Sequence, residues 1–214
     1  CSGGFVTEET IHFAAAAELI HNATLLHDDV ADNSPVRRGE PTVMSLLGGR
    51  ASVLLGDYWL VKGIESVLSV NTFSGKVIRI FSNTLSDLAE GELLQLQKAD
   101  TCDTTESDYY RIIYNKTASL FVASANTAAI SVSASDEKRK AAKLYAECLG
   151  IAFQIKDDIF DYEGGDLTGK PSGLDLEERK ITLPLLGAFV NAGEDMEKEI
   201  RALVARADED ADSR

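Results

Sequence analysis

The chain has 214 residues, 44% of them hydrophobic, and its 35 acidic against 21 basic side chains give a formal net charge of -14. This is enough apolar material for a single domain spanning residues 1–214, and the charge excludes a nucleic-acid backbone or an anionic membrane as a general partner. Any anion that the protein binds must therefore meet a local basic cluster or a metal ion.

Neither a membrane span nor a disulfide framework is indicated by the sequence. No run approaches the roughly 20 consecutive apolar residues of a membrane span, and no charged-then-apolar leader is visible at the start. The three cysteines are widely spaced and fit neither metal-ligand spacing nor paired bridges, as is usual in a reducing compartment. We therefore expect a cytoplasmic protein without a membrane span.

Apolar residues recur at i, i+3 and i+4 through most of the chain, with good helix formers between them. Thr7, followed by two glutamates, predicts the cap of a first helix, and Asn33-Ser34-Pro35 ends that helix after about Asp32. A capping box at Thr105 and Asp108 starts another helix. Further helices are predicted over residues 42–69, 75–99, 106–132, 136–163, 178–192 and 195–210, with a glycine-rich loop between 163 and 177. The predicted fold class is an all-α bundle.

Three aspartates stand at the end of the first predicted helix, in the sequence HDDVAD. At about 100° per residue, Asp28, Asp29 and Asp32 fall within one arc of roughly 100°, so their carboxylates can face one point. Acidic groups at a helix C-terminus interact unfavourably with the helix dipole. The cluster therefore costs stability unless a cation offsets it.

A second cluster repeats this pattern in GIAFQIKDDIFDYEGG at residues 150–165, where Asp157, Asp158 and Asp161 precede a glycine-rich loop. One such triplet alone is usually a solvated acidic helix end. Two of them, each set among apolar residues, predict a shared metal site. Hard oxygen ligands without nearby cysteine select Mg²⁺, which binds few carboxylates together with substrate phosphate oxygens. The implied substrate is a phosphate ester.

Basic residues near both clusters supply the other half of phosphate recognition. Arg37 and Arg38 follow the first cluster directly, and their guanidinium forks suit diphosphate oxygens. Lysines, which act as point charges, lie in a helix between the clusters and around the second loop: Lys116, Lys170 and Lys180. A surface role is the alternative for each lysine.

Two Glu-x-x-His pairs suggest a competing metal centre, the di-iron carboxylate bundle. Glu9 with His12 and Glu18 with His21 form these pairs. Both lie on one predicted helix, about 13 Å apart along its axis at 1.5 Å per residue. Because a di-iron site needs the pairs on facing helices, we do not adopt this interpretation.

Together with RRGEPT at 37–42, NKTASLF at 115–121 and GKPSGLDLEERKITLPLL at 169–186, the two DDxxD motifs resemble those of the trans-type polyprenyl diphosphate synthases. The resemblance runs in order from about residue 18 to 187. It implies an isoprenoid-synthase-type helical bundle with a central cavity, and a homodimer. The implied activity is Mg²⁺-dependent condensation of isopentenyl diphosphate with an allylic diphosphate of the farnesyl or geranyl type.

The resemblance also implies a role for each matching residue. It makes Asp28, Asp32 and Asp157 metal ligands, with Asp29, Asp158 and Asp161 in support. The residues that would hold the allylic diphosphate are Arg37, Lys116, Thr117, Gln154, Lys170 and Lys180. Arg38 and His21 would contact isopentenyl diphosphate, and for His21 a hydrogen-bonded helix histidine is the alternative.

One element of the family pattern has no counterpart in the sequence. The family carries a GGKxxRP-type segment upstream of the first aspartate motif, which completes the isopentenyl diphosphate site, and Ser2-Gly3-Gly4 does not match it. We expect a chain that is incomplete at its N-terminus and that, as written, lacks part of this site. Two alternatives stay open: a catalytically silent subunit of a heteromeric prenyl synthase, and a terpene cyclase.

Product length is suggested by the first helix. In the family a bulky aromatic residue just before the first motif closes the product tunnel, whereas Ala23 stands five positions before Asp28 here. The same face carries the remaining candidate tunnel residues, Thr24, Ile20, Ala16, Ala17 and Phe13. Glu92 and Gln95 also resemble long-chain bacterial members, so we expect a product around octaprenyl. The alternative is that the alanines only let helices pack closely.

Overall fold

The structure is a computed structural model and describes residues 3–163 and 173–207. Its helices are α1 (Glu8–Ala31), α2 (Val43–Leu47), α3 (Gly49–Leu68), α4 (Ser74–Thr101), α5 (Glu106–Ile113), α6 (Ser119–Ser131), α7 (Asp136–Glu163), α8 (Leu174–Glu177), α9 (Leu183–Ala192) and α10 (Glu194–Val204). Within these ranges, β-structure is limited to one hairpin of β1 (Val36–Arg37) and β2 (Glu40–Pro41). The predicted all-α fold class is confirmed. Among the described helices, none has the length and apolar character of a membrane span.

The predicted helix caps are confirmed at two starts. The Thr7 side chain accepts the backbone N–H of Thr10, and the Thr10 side chain accepts that of Thr7 in return. Thr105 and Asp108 form the same reciprocal pair at the start of α5. Because each pair satisfies two backbone donors that the first helical turn leaves unpaired, these starts are encoded locally.

Other predicted boundaries were wrong. The helix predicted over 42–69 is broken at Gly48, whose φ of 85° lies in the left-handed region that glycine tolerates. The helix predicted over 178–192 begins at Leu183, because Pro184 lacks an N–H and is tolerated only in a first turn. The short helix α8 occupies the end of the predicted glycine-rich loop, and residues 164–172 of that loop lie outside the described residues. The last helix ends at Val204 rather than at 210.

The helix predicted over 106–132 is interrupted by a π-helical segment, Tyr114–Ala118, between α5 and α6. Two glycines allow close approach to this segment from different helices. A methyl group at Gly91 of α4 would lie 2.8 Å from Asn115 Cβ, and one at Gly150 of α7 would lie 2.6 Å from Ala118 Cα. Distances this short leave no room for a side chain, so both glycines are required by packing.

The chain forms two compact units. One comprises Cys1–Leu85 and Leu120–Ala146. Within it α1 packs on α3, and a methyl group at Gly63 of α3 would be in van der Waals contact with the Ala16 carbonyl oxygen and Ile20 Cγ1, both at 3.4 Å. The other unit comprises Ser86–Ser119 and Glu147–Arg214, and its core includes Tyr109, Ile113, Ile181, Leu186, Phe189 and Val204.

Gly91→Ala tests the close packing of the π-helical segment. We expect this variant to lose about 1–3 kcal/mol of unfolding free energy, because the new methyl group overlaps Asn115 and Lys116. Gly75→Ala on the same helix is the control, since nothing lies within 4 Å of its added methyl group. Thermal and denaturant unfolding measure both. Equal stability of the two variants would contradict the packing described here.

Candidate functional site

The first aspartate triplet is divided between two environments. Asp29 is only 4% exposed and continues the buried stripe of α1, whereas Asp28 is half-buried and Asp32 is exposed. Arg37 Nε donates a 2.7 Å hydrogen bond to Asp29 Oδ1. Asp28 and Asp32 lie one helical turn apart on one side of α1, joined by a backbone hydrogen bond of 2.8 Å. The expectation that all three carboxylates face one point is therefore corrected: Asp29 is turned to the core and neutralised.

The β1–β2 hairpin places the two adjacent arginines in different surroundings. Arg38 and Gly39 have φ values of 54° and 83°, as in the two-residue turns that match strand twist. Arg38 is exposed at the tip of this turn, while Arg37 is half-buried and reaches back to α1. At the base of the hairpin, the Thr42 hydroxyl donates a 2.8 Å hydrogen bond to the Ser34 carbonyl oxygen. The hairpin thus separates an ion-paired arginine from a solvent-facing one.

In the second triplet, Asp158 is buried, and each of its carboxylate oxygens accepts a hydrogen bond from a neutral side chain. The Tyr109 hydroxyl donates to its Oδ2 at 2.6 Å, and Gln154 Nε2 donates to its Oδ1 at 2.8 Å. Thr117 Oγ1 in turn donates to Gln154 Oε1 at 2.6 Å. Burial raises the pKa of Asp158, and the hydrogen bonds from Tyr109 and Gln154 oppose that rise. Asp157 beside it is exposed.

Asp161 and Asp175 form an acidic corner that the sequence analysis did not assign. The Asp161 carboxylate accepts the backbone N–H groups of Leu174 and Asp175 at 3.1 and 3.2 Å. Burial, followed by the charges of Asp161 and Asp158, raises the pKa of Asp175 to about 7, while Lys180 acts in the opposite direction. Asp175 lies in the GLDLEERK stretch outside the DDxxD pattern, so only tertiary packing reveals it.

Lys116 lies in the π-helical segment and is held by α4. Its Nζ contacts Glu92 Oε2 as an ion pair and donates to Gln95 Oε1. Gly91, one residue before Glu92, is the glycine that lets α4 approach. The two residues that resemble long-chain members are therefore direct partners of Lys116.

Carboxylates also hold other cations assigned to the diphosphate. Lys180 pairs with Glu178, and Arg37 pairs with Asp29. Lys170 lies outside the described residues. In this structure the described cations assigned to the allylic diphosphate are thus already paired with protein carboxylates.

The candidate tunnel residues line the packed side of α1. Phe13, Ala16, Ile20 and Ala23 are at most 1% exposed, and Ala17 and Thr24 are half-buried. Ala16 and Ile20 lie against Gly63, so for these two positions close helix packing is observed. His21 is half-buried, and its carbonyl accepts the Thr24 hydroxyl at 2.8 Å.

Two other histidines fasten α1 to α3. His12 Nδ1 lies 2.9 Å from Ser69 Oγ and 3.2 Å from Ser66 Oγ, which gives it a packing role. The His27 ring lies over Gly56, and its Nε2 is 3.2 Å from Asp57 Oδ1. His27 was not singled out from the sequence, although it precedes the first aspartate motif directly.

The donor chemistry of the aspartates fits Mg²⁺. Within residues 3–163 and 173–207, no group of three or more His, Cys, Asp or Glu side chains could hold a metal ion by itself. Mg²⁺ commonly binds one or two carboxylates and completes its shell with water and substrate phosphate oxygens. Asp28 and Asp32 supply such a pair on adjacent turns. Neither α1 nor α7 has a basic residue in its last turn, so a cation would also offset the helix dipole there.

Asp175→Asn tests the acidic corner through the pH dependence of stability. The pKa of Asp175 is raised in the folded state from 3.8 to about 7, so the folded state favours the protonated, neutral carboxyl. This group therefore contributes to the free energy of unfolding below about pH 4, and the contribution is lost as pH rises to about 7. We expect the variant to gain in Tm relative to wild type between pH 4 and pH 8, measured in EDTA. Asp195→Asn on the exposed side of α10 is the control. A Tm difference between Asp175→Asn and wild type that does not change with pH would contradict the raised pKa of Asp175.

Several known proteins match this chain over most of its length. The family model described as Polyprenyl synthetase matches residues 5–214. Octaprenyl diphosphate synthase of Escherichia coli (strain K12) is 40% identical over 202 residues, covering 94% of this chain and 62% of that protein. A short chain isoprenyl diphosphate synthase of Methanocaldococcus jannaschii is 37% identical, covering 90% of this chain and 60% of that protein.

A solved structure shares the fold. The polyprenyl synthase from Caulobacter crescentus CB15, complexed with calcium and isoprenyl diphosphate, superposes with a TM-score of 0.88 at 36% identity, covering 99% of this chain and 64% of that one. This chain spans less than two thirds of the length of each of these relatives. The family match nevertheless extends over nearly all of its residues. The chain belongs to the polyprenyl synthetase family.

Proposed function

We propose that the protein is a Mg²⁺-dependent prenyltransferase. It condenses isopentenyl diphosphate with an allylic diphosphate and forms a long trans-polyprenyl diphosphate, around octaprenyl. The observation that carries this proposal is the pair of aspartate triplets at the ends of α1 and α7, each accompanied by basic residues suited to diphosphate. A divalent cation and an isoprenyl diphosphate in the Caulobacter crescentus relative support the ligand class.

For this reaction, the protein must stabilise the negative charge on the departing diphosphate. Cleavage of the allylic C–O bond leaves a carbocation, and the diphosphate departs with the electron pair. When bound, Mg²⁺ would supply a Lewis acid and a template for the diphosphate oxygens. Asp28, Asp32 and Asp157 would hold it. The isopentenyl double bond then forms the new C–C bond, and a proton is lost, with the released diphosphate as the proposed acceptor.

The protein's own cations would bind the diphosphate by exchanging partners. Lys116 and Glu92 keep 26% and 24% of their side chains exposed, so a ligand can reach this ion pair from solvent. Arg37 and Lys180 are likewise paired with carboxylates. A diphosphate offers several charged oxygens to each cation, so it competes well with a single carboxylate. Arg38, exposed on its turn, would contact isopentenyl diphosphate.

The product length rests on Ala23. Relatives of similar identity include both an octaprenyl and a short-chain synthase, so identity alone does not select a length. Position 23 carries alanine rather than an aromatic side chain on the face of α1 that leads to Asp28. In this proposal the absence of a bulky ring there leaves a path open for the growing chain, which favours a long product.

Product analysis tests the proposed reaction. The protein encoded by the gene is incubated with Mg²⁺, farnesyl diphosphate and isopentenyl diphosphate, and product lengths are read by mass spectrometry. We expect long polyprenyl diphosphates, and a loss of at least ~100-fold in Asp28→Asn, because even outer partners of a metal site change activity by about 10–100-fold. Asp195→Asn serves as the control. Absence of any elongation by wild type would instead favour the silent-subunit alternative.

Ala23→Phe tests the open path. We expect this variant to give shorter products, because an aromatic ring would fill space beside the growing chain. Ala15→Phe adds the same ring on the exposed side of α1 and should leave product length unchanged. Thermal unfolding accompanies both, since Ala23 is fully buried and a larger side chain strains a packed core. An unchanged product distribution in a folded Ala23→Phe protein would remove the basis for the tunnel.

A further inference from the structure

Tyr109 is a buried tyrosine whose position is fixed from two directions. Its ring belongs to the core formed with Ile113, Ile181 and Leu186, and the residue is 2% exposed. Its hydroxyl donates the 2.6 Å hydrogen bond to Asp158 Oδ2, which joins α5 to α7. Because the ring cannot move without opening the core, the hydroxyl hydrogen is aimed at one carboxylate oxygen.

Two further hydrogen bonds lead to Asp158, each from donor to acceptor: Thr117 donates to Gln154, and Gln154 donates to Asp158. An ionised carboxylate only accepts, so the Gln154 amide nitrogen faces Asp158 and its oxygen faces Thr117. The Thr117 hydroxyl has a single proton, which it gives to Gln154. The chain of bonds therefore fixes the Gln154 amide orientation, and its second N–H is the donor left for a ligand oxygen.

This chain of hydrogen bonds ends beside Lys116, a partly buried cation of the same unit. Thr117 follows Lys116 on the π-helical segment, and Glu92 with Gln95 fixes the Lys116 side chain from α4. A charged group and two neutral polar groups are thus oriented by separate sets of contacts. Glu92 and Gln95 orient the lysine, and Asp158 orients the neutral groups.

We infer that Tyr109 is a positioning residue of the diphosphate site: acting through Asp158, it orients the Gln154 amide so that its second N–H can donate to a diphosphate oxygen. This inference rests on the proposed function of Lys116, Thr117 and Gln154. Without the phenol, Asp158 Oδ2 would be a buried carboxylate oxygen that has lost its donor, while Asp157 and Asp161 repel it. The carboxylate would then rotate towards another donor and release Gln154.

Tyr110 provides a matched control. Its ring packs edge-to-face on that of Tyr109 at 5.5 Å, yet it is 39% exposed. Tyr109→Phe and Tyr110→Phe each remove one hydroxyl from neighbouring rings and leave the rings in place. Thermal unfolding of both variants checks that the core remains folded.

The binding test uses inorganic diphosphate with Mg²⁺, measured by isothermal titration calorimetry on the protein encoded by the gene. We expect Tyr109→Phe to weaken binding, and to raise KM for the allylic diphosphate, by about 10–100-fold, as is typical when an outer partner of a ligand site is removed. Tyr110→Phe should match wild type. Equal affinities for wild type and Tyr109→Phe would overturn the inference, as would equal losses in both tyrosine variants.

A double-mutant cycle tests whether Tyr109 acts through Asp158. We expect Tyr109→Phe combined with Asp158→Asn to bind no more weakly than Asp158→Asn alone, because both changes break the same chain. If the double variant instead loses affinity by the product of the two single-variant losses, Tyr109 does not act through Asp158. The Gln154 side-chain amide resonances give a readout independent of binding: they should shift in Tyr109→Phe and stay unchanged in Tyr110→Phe. An unshifted Gln154 amide in Tyr109→Phe would likewise overturn the inference.

The same measurements separate failure of the inference from failure of the proposed function. If wild type binds Mg²⁺ with diphosphate and Tyr109→Phe binds equally well, only the role of Tyr109 is refuted. If wild type neither binds diphosphate nor elongates a prenyl chain, the proposed function is refuted, and the positioning role that rests on it is refuted as well.

Discussion

The distribution of negative charge is the constraint on which the candidate site depends. In a chain of net charge -14, two long helices end in aspartate triplets, and neither has a basic residue in its last turn. Asp29 and Asp158 are buried, Asp161 and Asp175 are partly buried, and each of the four is stabilised in a different way. Arg37 neutralises Asp29, neutral donors hold Asp158, backbone N–H groups cap Asp161, and Asp175 shifts its pKa. Asp28, Asp32 and Asp157 are the positions where a metal ion is proposed.

The same constraint governs the cations. Arg37, Lys116 and Lys180 pair with protein carboxylates, so they carry little net attraction for a distant anion. Binding of a diphosphate would then depend on exchange of partners at short range and on added positive charge from Mg²⁺. Such an exchange would let so acidic a protein bind the proposed anionic substrate. Orientation of the Gln154 amide through Tyr109 and Asp158 would complement it.

Local signals predicted much of the fold, while tertiary packing decided the rest. The Thr7 and Thr105 caps depend on neighbours three residues away, so sequence alone placed them. The inward turn of Asp29 follows from its place on the apolar stripe after Leu26, which the triplet pattern concealed. The π-helical segment could not be predicted, because Gly91 and Gly150, which approach it, are distant in sequence. Asp175 was missed for the same reason: its burial comes from packing.

Binding of inorganic diphosphate with and without Mg²⁺ tests the charge constraint most directly. Calorimetric titrations of the protein encoded by the gene, in Mg²⁺ and in EDTA, compare the two conditions at one ionic strength. Because Arg37, Lys116 and Lys180 are paired with carboxylates and the chain is strongly acidic, we expect binding in Mg²⁺ and none in EDTA. Equal affinity in EDTA would contradict the metal-dependent site, since the protein's basic residues would then suffice for the anion.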